Sequence, residues 1–583
     1  MKRSTYIWSL LVGCVAFATS CDLTENVQVK ADKSMIFGSK SGLELYSNSF
    51  YKALPTLKNG FMQDKMCDVG AVSNTDTFIK RGAYNTETAT SWSWGALKNV
   101  NYFIDGCNDP KYCTVEAETR DNYLGIARWF RAWFYYDKLT TYGEVPWFPN
   151  DIQSYQNDVM YKDRDSRDVI IRNLIADLDF AYEHIQATSS TGSATLTRWA
   201  AAALKSRVCL FEAAYRRYHN LTGLEITPEE LYREAAKAAK LVIDNSGCSL
   251  NTAAGKKGAY RDLFYSETPL TQEVILAVCA NEKSGIFGEQ NWWFNARSYG
   301  LCWSLVRSFV HTYLKQDGTP FTAAADYAVK SFAEEMEGRD LRLEQTVRGR
   351  NFLWDGKTAV ADIKNLSLTG YQVIKYTLDE SKYDGGAKNI NSIPLIRYAE
   401  VLLNYAEAQA ELGVITDSEW ALTVGALRKR AGITGGTETL PTTVDSYLQR
   451  TFYPDVTSPV LLEIRRERAI ELVAEGMRFD DLRRWKCGSL METLPWSGIH
   501  IPGLEQPVDV NGDGVNDYYF TEGEVASAPA AYKNIAVRVN QDGVGLYAEA
   551  NPVSGYDLVY KTGAGDRYWY PDGASTSIRF PPR

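Results

Sequence analysis

The stretch SIPLIRYAEVLLNYAEAQAELG, residues 392–413, is the most informative part of the chain. It predicts a helix that begins near Pro394, which is tolerated in a first helical turn, and ends at Gly413, which suits the left-handed conformation that follows a helix. Three glutamates lie off the apolar face of this helix: Glu400, Glu407 and Glu411. The apolar face itself is rich in alanine and consists of Leu395, Ala399, Leu402, Leu403, Ala406 and Ala410. The spacing predicts a helix packed closely between other helices.

A second helical stretch, predicted over Pro459–Trp485, is dense in charge. Glu467, Glu471 and Glu475 recur at every fourth position and stand beside Arg466, Arg478 and Arg483. Such spacing is typical of a structural ion-pair network on a helix. The alternative is a charged active-site cluster.

These two stretches occur together in one known family. The runs 394–413 and 465–485, in this order and spacing, resemble motifs of the SusD/RagB family of outer-membrane nutrient-binding lipoproteins of Bacteroidetes. Further matches are NYFI at 101–104, ARWFRAWFYY at 127–136, YGEVP at 142–146 and the alanine-rich run 200–214. The resemblance extends from the N-terminus to about Trp485 and is weak beyond it.

The resemblance implies a fold and a role. Members of the family have a mainly α fold, a tetratricopeptide-like helical-repeat scaffold with large loop-rich insertions. They lie on a SusC-like TonB-dependent transporter in the outer membrane and deliver oligosaccharides to it without cleaving them. The expected ligand is therefore an oligosaccharide or polysaccharide. A peptide ligand, as in the RagB branch, is the alternative.

The helical pattern is consistent with this fold. No linker rich in proline, glycine or serine divides the chain, so residues 21–583 are expected to form one SusD-like domain, with scaffold helices at about 42–243 and 393–485. Loop-rich insertions on the ligand side are expected at about 245–391 and 486–583. The predicted scaffold helices are Gly42–Leu57, Trp94–Cys107, Glu116–Thr140, Ser166–Ile185, Thr197–His219, Pro228–Ile243, Asp417–Ala431 and Pro459–Trp485. Thr227 is the expected N-terminal cap of the helix predicted over Pro228–Ile243.

The first twenty residues are predicted to be a lipoprotein signal peptide. Lys2 and Arg3 precede a short apolar run, and small residues lead to Cys21, which is the expected lipid-anchored residue. Cys14 ends a competing motif, but cleavage there would shorten the apolar run. Ordinary cleavage without lipid attachment is the other alternative. The expected location is the cell surface, with the chain anchored to the outer membrane.

Composition and motifs exclude several function classes. The net charge of −9 disfavours nucleic-acid binding, which requires a basic face. The sequence contains four histidines and none of the HExxH, GxSxG or GxxxxGK[ST] motifs, so no enzymatic activity is predicted. A surface glycoside hydrolase is the alternative, because carboxylates are plentiful. Eight cysteines remain beyond Cys14 and Cys21; they lack metal-type spacing and are expected to be buried thiols, with one or two disulfides as the alternative.

One motif indicates a metal. The run DVNGDGVND at 509–517 places oxygen donors at Asp509, Asn511, Asp513 and Asp517, as calcium loops do, and Gly514 where such loops turn sharply. Phe520 stands where the bidentate glutamate would be, and no clear helix pair flanks the loop. A structural calcium ion and a tight turn without metal are both consistent with this motif, and no cofactor is otherwise required.

Two polar loops carry the residues expected to bind a glycan. Sugars stack their C–H faces on aromatic rings and exchange hydrogen bonds through their hydroxyls, so a site needs Trp or Tyr beside Asn, Asp or Arg. The expected ligand-binding residues are Arg81, Tyr84, Asn85 and Trp92 in the first loop, and Trp292, Trp293, Asn295 and Tyr299 in the second. If the second loop is extended, only one of its adjacent tryptophans stacks on ligand.

Overall fold

The computed structural model describes residues 32–58, 64, 67–73, 75, 93–153, 155–296, 302–523, 529, 531–541, 543–562 and 567. Its helices, in chain order, are α1 Lys33–Phe37, α2 Lys40–Ser47, α3 Gly95–Asn108, α4 Ala117–Tyr142, α5 Asn157–Met160, α6 Arg167–His184, α7 Arg198–Tyr218, α8 Pro228–Asn245, α9 Asp262–Tyr265, α10 Gln290–Asn295, α11 Arg307–Val310, α12 Phe332–Met336, α13 Leu341–Thr346, α14 Tyr398–Glu411, α15 Asp417–Leu422, α16 Val424–Arg430, α17 Ser446–Phe452, α18 Pro459–Glu471, α19 Arg478–Arg484 and α20 Leu490–Thr493.

The long helices form the predicted scaffold. Helix α4 packs on α6, α7 packs on α8, and α14 packs on both α8 and α18. Alanines on α7 and α8 are buried where these helices meet, which allows their close approach. Thr227 caps α8 and exchanges hydrogen bonds with Glu230 in a capping box, as expected from the sequence. The mainly helical fold class is confirmed.

Helix α14 lies at the centre of this scaffold. Val414 N–H donates to Gln409 O and Gly413 N–H donates to Ala410 O, a Schellman ending with Gly413 at φ 71°. Two glutamates that were expected off the packed face are buried as well. Glu400 binds the guanidinium of Arg207 through two 2.6 Å bonds, and Glu407 accepts from Arg484 and Trp485. The helix is therefore packed on nearly all sides rather than on one apolar face.

The predicted start of this helix is wrong. Pro394 lies in strand β6, Ile393–Arg397, which pairs antiparallel with β2, Val274–Val278. Because this sheet has only two strands, a proline without an N–H group is tolerated in it. The helix begins four residues later, at Tyr398.

Three other predicted helices differ from the structure. The helix predicted over Gly42–Leu57 is instead α2 followed by a short 3₁₀ segment, Asn48–Ala53. The helix predicted over Asp417–Ala431 breaks at Thr423, which has non-helical dihedral angles of φ −108° and ψ −92°. The helix predicted over Pro459–Trp485 breaks between α18 and α19, where Ala474 and Gly476 have φ values of 63° and 80°. Positive φ at two nearby positions interrupts the helical hydrogen bonds.

The glutamates of the second stretch form a buried ion-pair network, as the sequence predicts, but with other cations. Glu471 binds Arg342, Arg397 and Arg430. Glu475 binds Arg397 and Lys375, and Glu467 binds Arg342 and Arg428. The arginines that neighbour these glutamates in the sequence pair elsewhere, for instance Arg478 with Asp68. The network thus joins α18 and the segment after it to the first insertion, to β6 and to α16, rather than lying on the surface of one helix.

The two insertions contain strands as well as loops. Two pairs of short antiparallel strands are present. Strand β1, Gly70–Ala71, pairs with β3, Ser304–Leu305, and strand β4, Leu353–Trp354, pairs with β5, Lys357–Thr358. The C-terminal part forms a six-stranded sheet of order β7-β12-β11-β10-β9-β8. Its strands are β7 Ser497–Ile501, β8 Pro507–Val508, β9 Tyr518–Glu522, β10 Lys533–Val539, β11 Val544–Ala550 and β12 Tyr556–Thr562. Strands β9, β10 and β11 run parallel, and the other neighbours are antiparallel.

All eight cysteines beyond Cys14 and Cys21 are free thiols in the structure. Cys209 is fully buried in α7, and burial raises its pKa to about 12, so this thiol is protonated and inert. Within the described ranges, the chain has no helix that is long and apolar enough to cross a lipid bilayer.

Candidate functional site

A polar pocket of about 470 Å³ lies where the two insertions meet. Its volume is within the range of small-molecule sites, about 300–1,000 Å³. The lining comes from the end of α10, the segment around the β4–β5 hairpin, the loop before β9, and the start of β10. The lining residues are Asn295, Arg348, Trp354, Thr358, Ala359, Val360, Asp362, Leu366, Asp384, Asn511, Asp513, Asp517 and Lys533.

The β4–β5 hairpin holds an aromatic ring at the pocket. Asp355 and Gly356 form its two-residue turn with φ values of 48° and 75°, the geometry that Asp-Gly favours in tight hairpins. The N–H of Asp355 donates to Asp379 O at 3.1 Å, and its carboxylate accepts from Ser381 N–H at 2.9 Å. These bonds fix the hairpin to the neighbouring chain, so that Trp354 is half-buried with part of its ring accessible.

Arg348 is the buried cation of the pocket. Only 7% of the residue is exposed, and its Nη1 donates to Val360 O at 3.0 Å. The Nε atom is buried without a hydrogen-bond partner, and none of the described carboxylates lies within ion-pair distance of the guanidinium. Its planar group lies 4.7 Å from the ring centre of Phe352 and 5.5 Å from that of Trp354. Burial lowers the pKa of Arg348 to about 10, which leaves it protonated at neutral pH.

Four aspartates supply hydrogen-bond acceptors. Burial raises the pKa of Asp384 to about 6, although the amides of Asn291 and Asn295 donate to its carboxylate at 3.2 and 3.4 Å. Burial, with the charges of Asp513 and Asp509, also raises the pKa of Asp517. Asp362 is 8% exposed and accepts from the Asn365 amide at 2.9 Å. The pocket can therefore both donate to and accept from a polyhydroxylated ligand.

The predicted ligand-binding residues are only partly brought together here. Asn295 lines the pocket and is held between Asp384 and the Gln372 amide. Trp292 and Trp293 are half-buried on α10 and are not part of the lining. Arg81, Tyr84, Asn85, Trp92, Tyr299 and the anchor Cys21 lie outside the described residues, so their predicted roles remain predictions.

The second predicted loop is not extended at Trp292 and Trp293. Residues 290–295 form the helix α10, in which successive side chains are about 100° apart rather than opposed. The two rings are in contact, with centroids 5.0 Å apart and planes at 58°. Trp293 also packs on the core, and its Nε1 is buried without a hydrogen-bond partner.

The predicted calcium loop also lines this pocket, through Asn511, Asp513 and Asp517. Its side chains bind the backbone of the loop: Asp509 accepts from Gly512 and Gly514 N–H at 2.7 and 2.8 Å, and Asp513 accepts from Val515 N–H at 2.8 Å. These are the bonds of Asx turns, and Gly512 and Gly514 adopt positive φ. Across the described part of the chain, no three acidic, histidine or cysteine side chains are grouped closely enough to hold a metal ion.

Chelation distinguishes the two interpretations of this loop. If Asp509, Asn511, Asp513 and Asp517 bind a structural calcium ion, EDTA is expected to lower the melting temperature, because an ion bound only to the folded state stabilises it. Asp513→Ala should abolish that sensitivity, while an exposed aspartate elsewhere, Asp326→Ala, should leave it intact. A melting curve of the wild-type protein that does not move with EDTA would reduce the motif to a turn.

Arg348, Trp354, Asp362, Asp384 and Lys533 were not identified from the sequence. They are distributed over nearly two hundred residues, and no motif joins them. The Asp-Gly turn that follows Trp354 is a local signal for a hairpin, but it does not indicate that the hairpin covers a pocket.

Comparison with solved structures supports the fold. A SusD-like protein from Bacteroides fragilis is 20% identical and matches with a TM-score of 0.62, covering 94% of this chain and 95% of its own. A SusD-like carbohydrate-binding protein from the same species is also 20% identical, with a TM-score of 0.62 over 82% of this chain and 93% of its own. A SusD homolog from Bacteroides thetaiotaomicron is 18% identical, with a TM-score of 0.57 over 80% and 90%.

Sequence-level matches are more limited. Among curated proteins, none matches the chain significantly. The family model of SusD and RagB proteins matches residues 272–571, just over half of the 583 residues. This match continues well beyond Trp485, where the motifs quoted from the sequence end. The chain belongs to the SusD family.

Proposed function

We propose that this protein is a cell-surface lipoprotein that captures oligosaccharides and delivers them to a SusC-like TonB-dependent transporter. The observation that carries the proposal is the polar pocket of about 470 Å³ in a chain of the SusD family, with Trp354 beside Arg348 and four aspartates. A relative of the same fold is described as a carbohydrate-binding protein. A flat aromatic ring beside donors and acceptors is the combination that a sugar requires, because its faces are apolar and its edge carries hydroxyls.

A panel of host, plant and microbial glycans, together with peptides, tests this function. Calorimetry or affinity gels should detect binding to at least one glycan class and none to the peptides. Reducing ends should not accumulate during prolonged incubation, because the proposed protein binds without cleaving. Binding to peptides alone would support the RagB-like alternative, and release of reducing ends would support a glycoside hydrolase.

The transporter is proposed as the partner on the basis of the family and the scaffold. Helices α4, α6, α7, α8 and α14 pack into a rigid helical layer with an extended surface. The pocket lies among the insertions, away from the packed interior of these helices. We propose that the helical layer faces the barrel, because stacked helical repeats are well suited to bind a protein partner.

The proposed outer-membrane location depends on Cys21. Substitution Cys21→Ala is expected to move the protein from the membrane fraction to the soluble fraction, or to leave an uncleaved precursor, since stable anchoring needs the acyl chains on this residue. Fractionation and incorporation of a labelled fatty acid measure the outcome, with Cys248→Ala as the matched control. Unchanged membrane attachment of the Cys21 variant would assign the anchor to Cys14 or to another mechanism.

Glycan binding should weaken in mild acid. The carboxylate of Asp384 titrates at about pH 6, and its ionised form is the better acceptor for ligand hydroxyls. Since the group is ionised above this pKa and protonated below it, affinity should fall as the pH drops from 7.5 to 5, by up to about tenfold if only the ionised form binds. Titration calorimetry at both pH values measures the change. In the variant Asp384→Asn this pH dependence should disappear, and a flat profile in the wild type would exclude Asp384 from the contact.

A further inference from the structure

We infer that the pocket selects neutral sugars and discriminates against sugars that carry a carboxylate or sulfate group. The inference rests on the proposed function and specifies the ligand class of the same site. It is carried by two independent features of the lining, a buried arginine with an unsatisfied N–H and an excess of carboxylates around it.

Arg348 is the buried cationic donor of this pocket. The residue is more than nine-tenths buried and lines the cavity, yet its Nε–H has no partner among the described residues. The guanidinium carries five N–H groups, and among the described residues only its Nη1 has a hydrogen-bond acceptor, so the group can donate to an acceptor of a ligand in the cavity. Hydroxyl and ring oxygens of a sugar are such acceptors, and the adjacent ring of Trp354 offers a surface for its apolar face.

An anionic sugar would also satisfy Arg348, but the rest of the lining opposes it. The lining contains four carboxylates and only two cations, so its formal charge is negative. The carboxylates are those of Asp362, Asp384, Asp513 and Asp517, and the cations are Arg348 and Lys533. Lys533 and Asp513 are both exposed to solvent, where their charges are screened, which leaves Arg348 with the half-buried Asp384 and Asp517 and the buried Asp362. A ligand carboxylate in this cavity would thus be drawn by one buried cation and repelled by several carboxylates.

A neutral sugar avoids this conflict. Its hydroxyls can donate to Asp362 and Asp384 while its oxygens accept from Arg348, so that these three charged groups gain a hydrogen bond and no like charges are brought together. The pocket therefore fits a neutral hexose or pentose unit better than a uronic acid or a sulfated sugar. Discrimination by repulsion is a common route to specificity between ligands of the same shape.

Matched pairs of oligosaccharides test the inference. Neutral oligogalactosides and oligogalacturonides, and other pairs that differ only in oxidation at C6, are compared by calorimetry at pH 7.5 and low salt. The neutral member of every pair that binds should bind at least tenfold more tightly than its acidic counterpart. Added salt should narrow this difference, because it screens the repulsion. A tighter acidic member would overturn the inference while leaving glycan capture intact, whereas no binding of any glycan would overturn the proposed function itself.

Charge-neutral variants connect the selectivity to the pocket. In the double variant Asp362→Asn with Asp384→Asn, the preference for the neutral sugar should fall to threefold or less, because the repulsive charges are removed with little change in shape. The control variant Asp317→Asn with Asp326→Asn removes the same charge from exposed positions and should keep the full preference. Circular dichroism and melting temperature establish that both proteins are folded. Unchanged discrimination in a folded pocket variant would show that these carboxylates do not determine the choice of sugar.

Discussion

Replacing Glu471 by alanine is expected to lower the free energy of unfolding by about 3–5 kcal/mol, enough to unfold a marginal protein near body temperature. Glu471 is fully buried and accepts from Arg397 at 2.6 Å, from Arg342 at 2.7 Å and from Arg430. Burial by itself would raise the pKa of this carboxyl, but the three arginines hold it well below the usual range. Its removal leaves three buried guanidinium groups with a deficit of negative charge.

Denaturant unfolding followed by circular dichroism measures this loss. Glu438→Ala is the matched control, because Glu438 pairs with Lys429 in solvent and such exposed pairs contribute little to stability. Its unfolding midpoint should equal that of the wild type. A Glu471→Ala protein with an unchanged midpoint would show that the buried network is dispensable and that the scaffold is held together by apolar packing alone.

Replacing Trp354 by alanine is expected to weaken binding of the preferred glycan at least tenfold, about 1.4 kcal/mol. The β4–β5 hairpin presents this ring at the pocket, and the hairpin is fixed by its bonds to the 379–381 segment. Removal of the ring takes away the apolar surface on which we propose that the sugar stacks, and one of the rings beside Arg348. Because the ring is half-exposed, the melting temperature should change little.

Two further variants make this prediction specific. Trp354→Phe keeps an aromatic surface and should retain most of the affinity. Tyr155→Ala removes an exposed aromatic ring from a segment that does not line the pocket and should leave binding unchanged. Full affinity in a folded Trp354→Ala protein would place the stacking surface elsewhere and would direct attention to Trp292.

Helices were predictable from the sequence where local signals agree. Helix α8 combines Thr227, Pro228, two glutamates in its first turn and a strong apolar face, and its start was predicted to the residue. The end of α14 just before Gly413 was likewise predictable, because glycine adopts positive φ more readily than other residues. These features depend on neighbours in the sequence, so one chain is enough to identify them.

Features that depend on distant partners were missed. Pro394 suits a helix start as well as a two-stranded sheet, and only pairing with β2 decides between them. Glu400 and Glu407 have the spacing of solvent-exposed residues, and only the positions of Arg207 and Arg484 make their burial favourable. The same holds for the pocket, in which Arg348, Asp384 and Asp513 meet although no local pattern links them. Sequence periodicity determines which side of an element is apolar, but not which charged groups meet across the fold.

We propose that a sugar binds in the pocket between Trp354 and Arg348. A crystal structure of the protein with the tightest-binding oligosaccharide from the glycan panel tests it most directly. We expect density for a sugar ring stacked on Trp354, with an oxygen atom within hydrogen-bond distance of the Arg348 guanidinium and a hydroxyl donating to Asp384. Density for the sugar at another surface, with the pocket occupied only by solvent, would contradict the account.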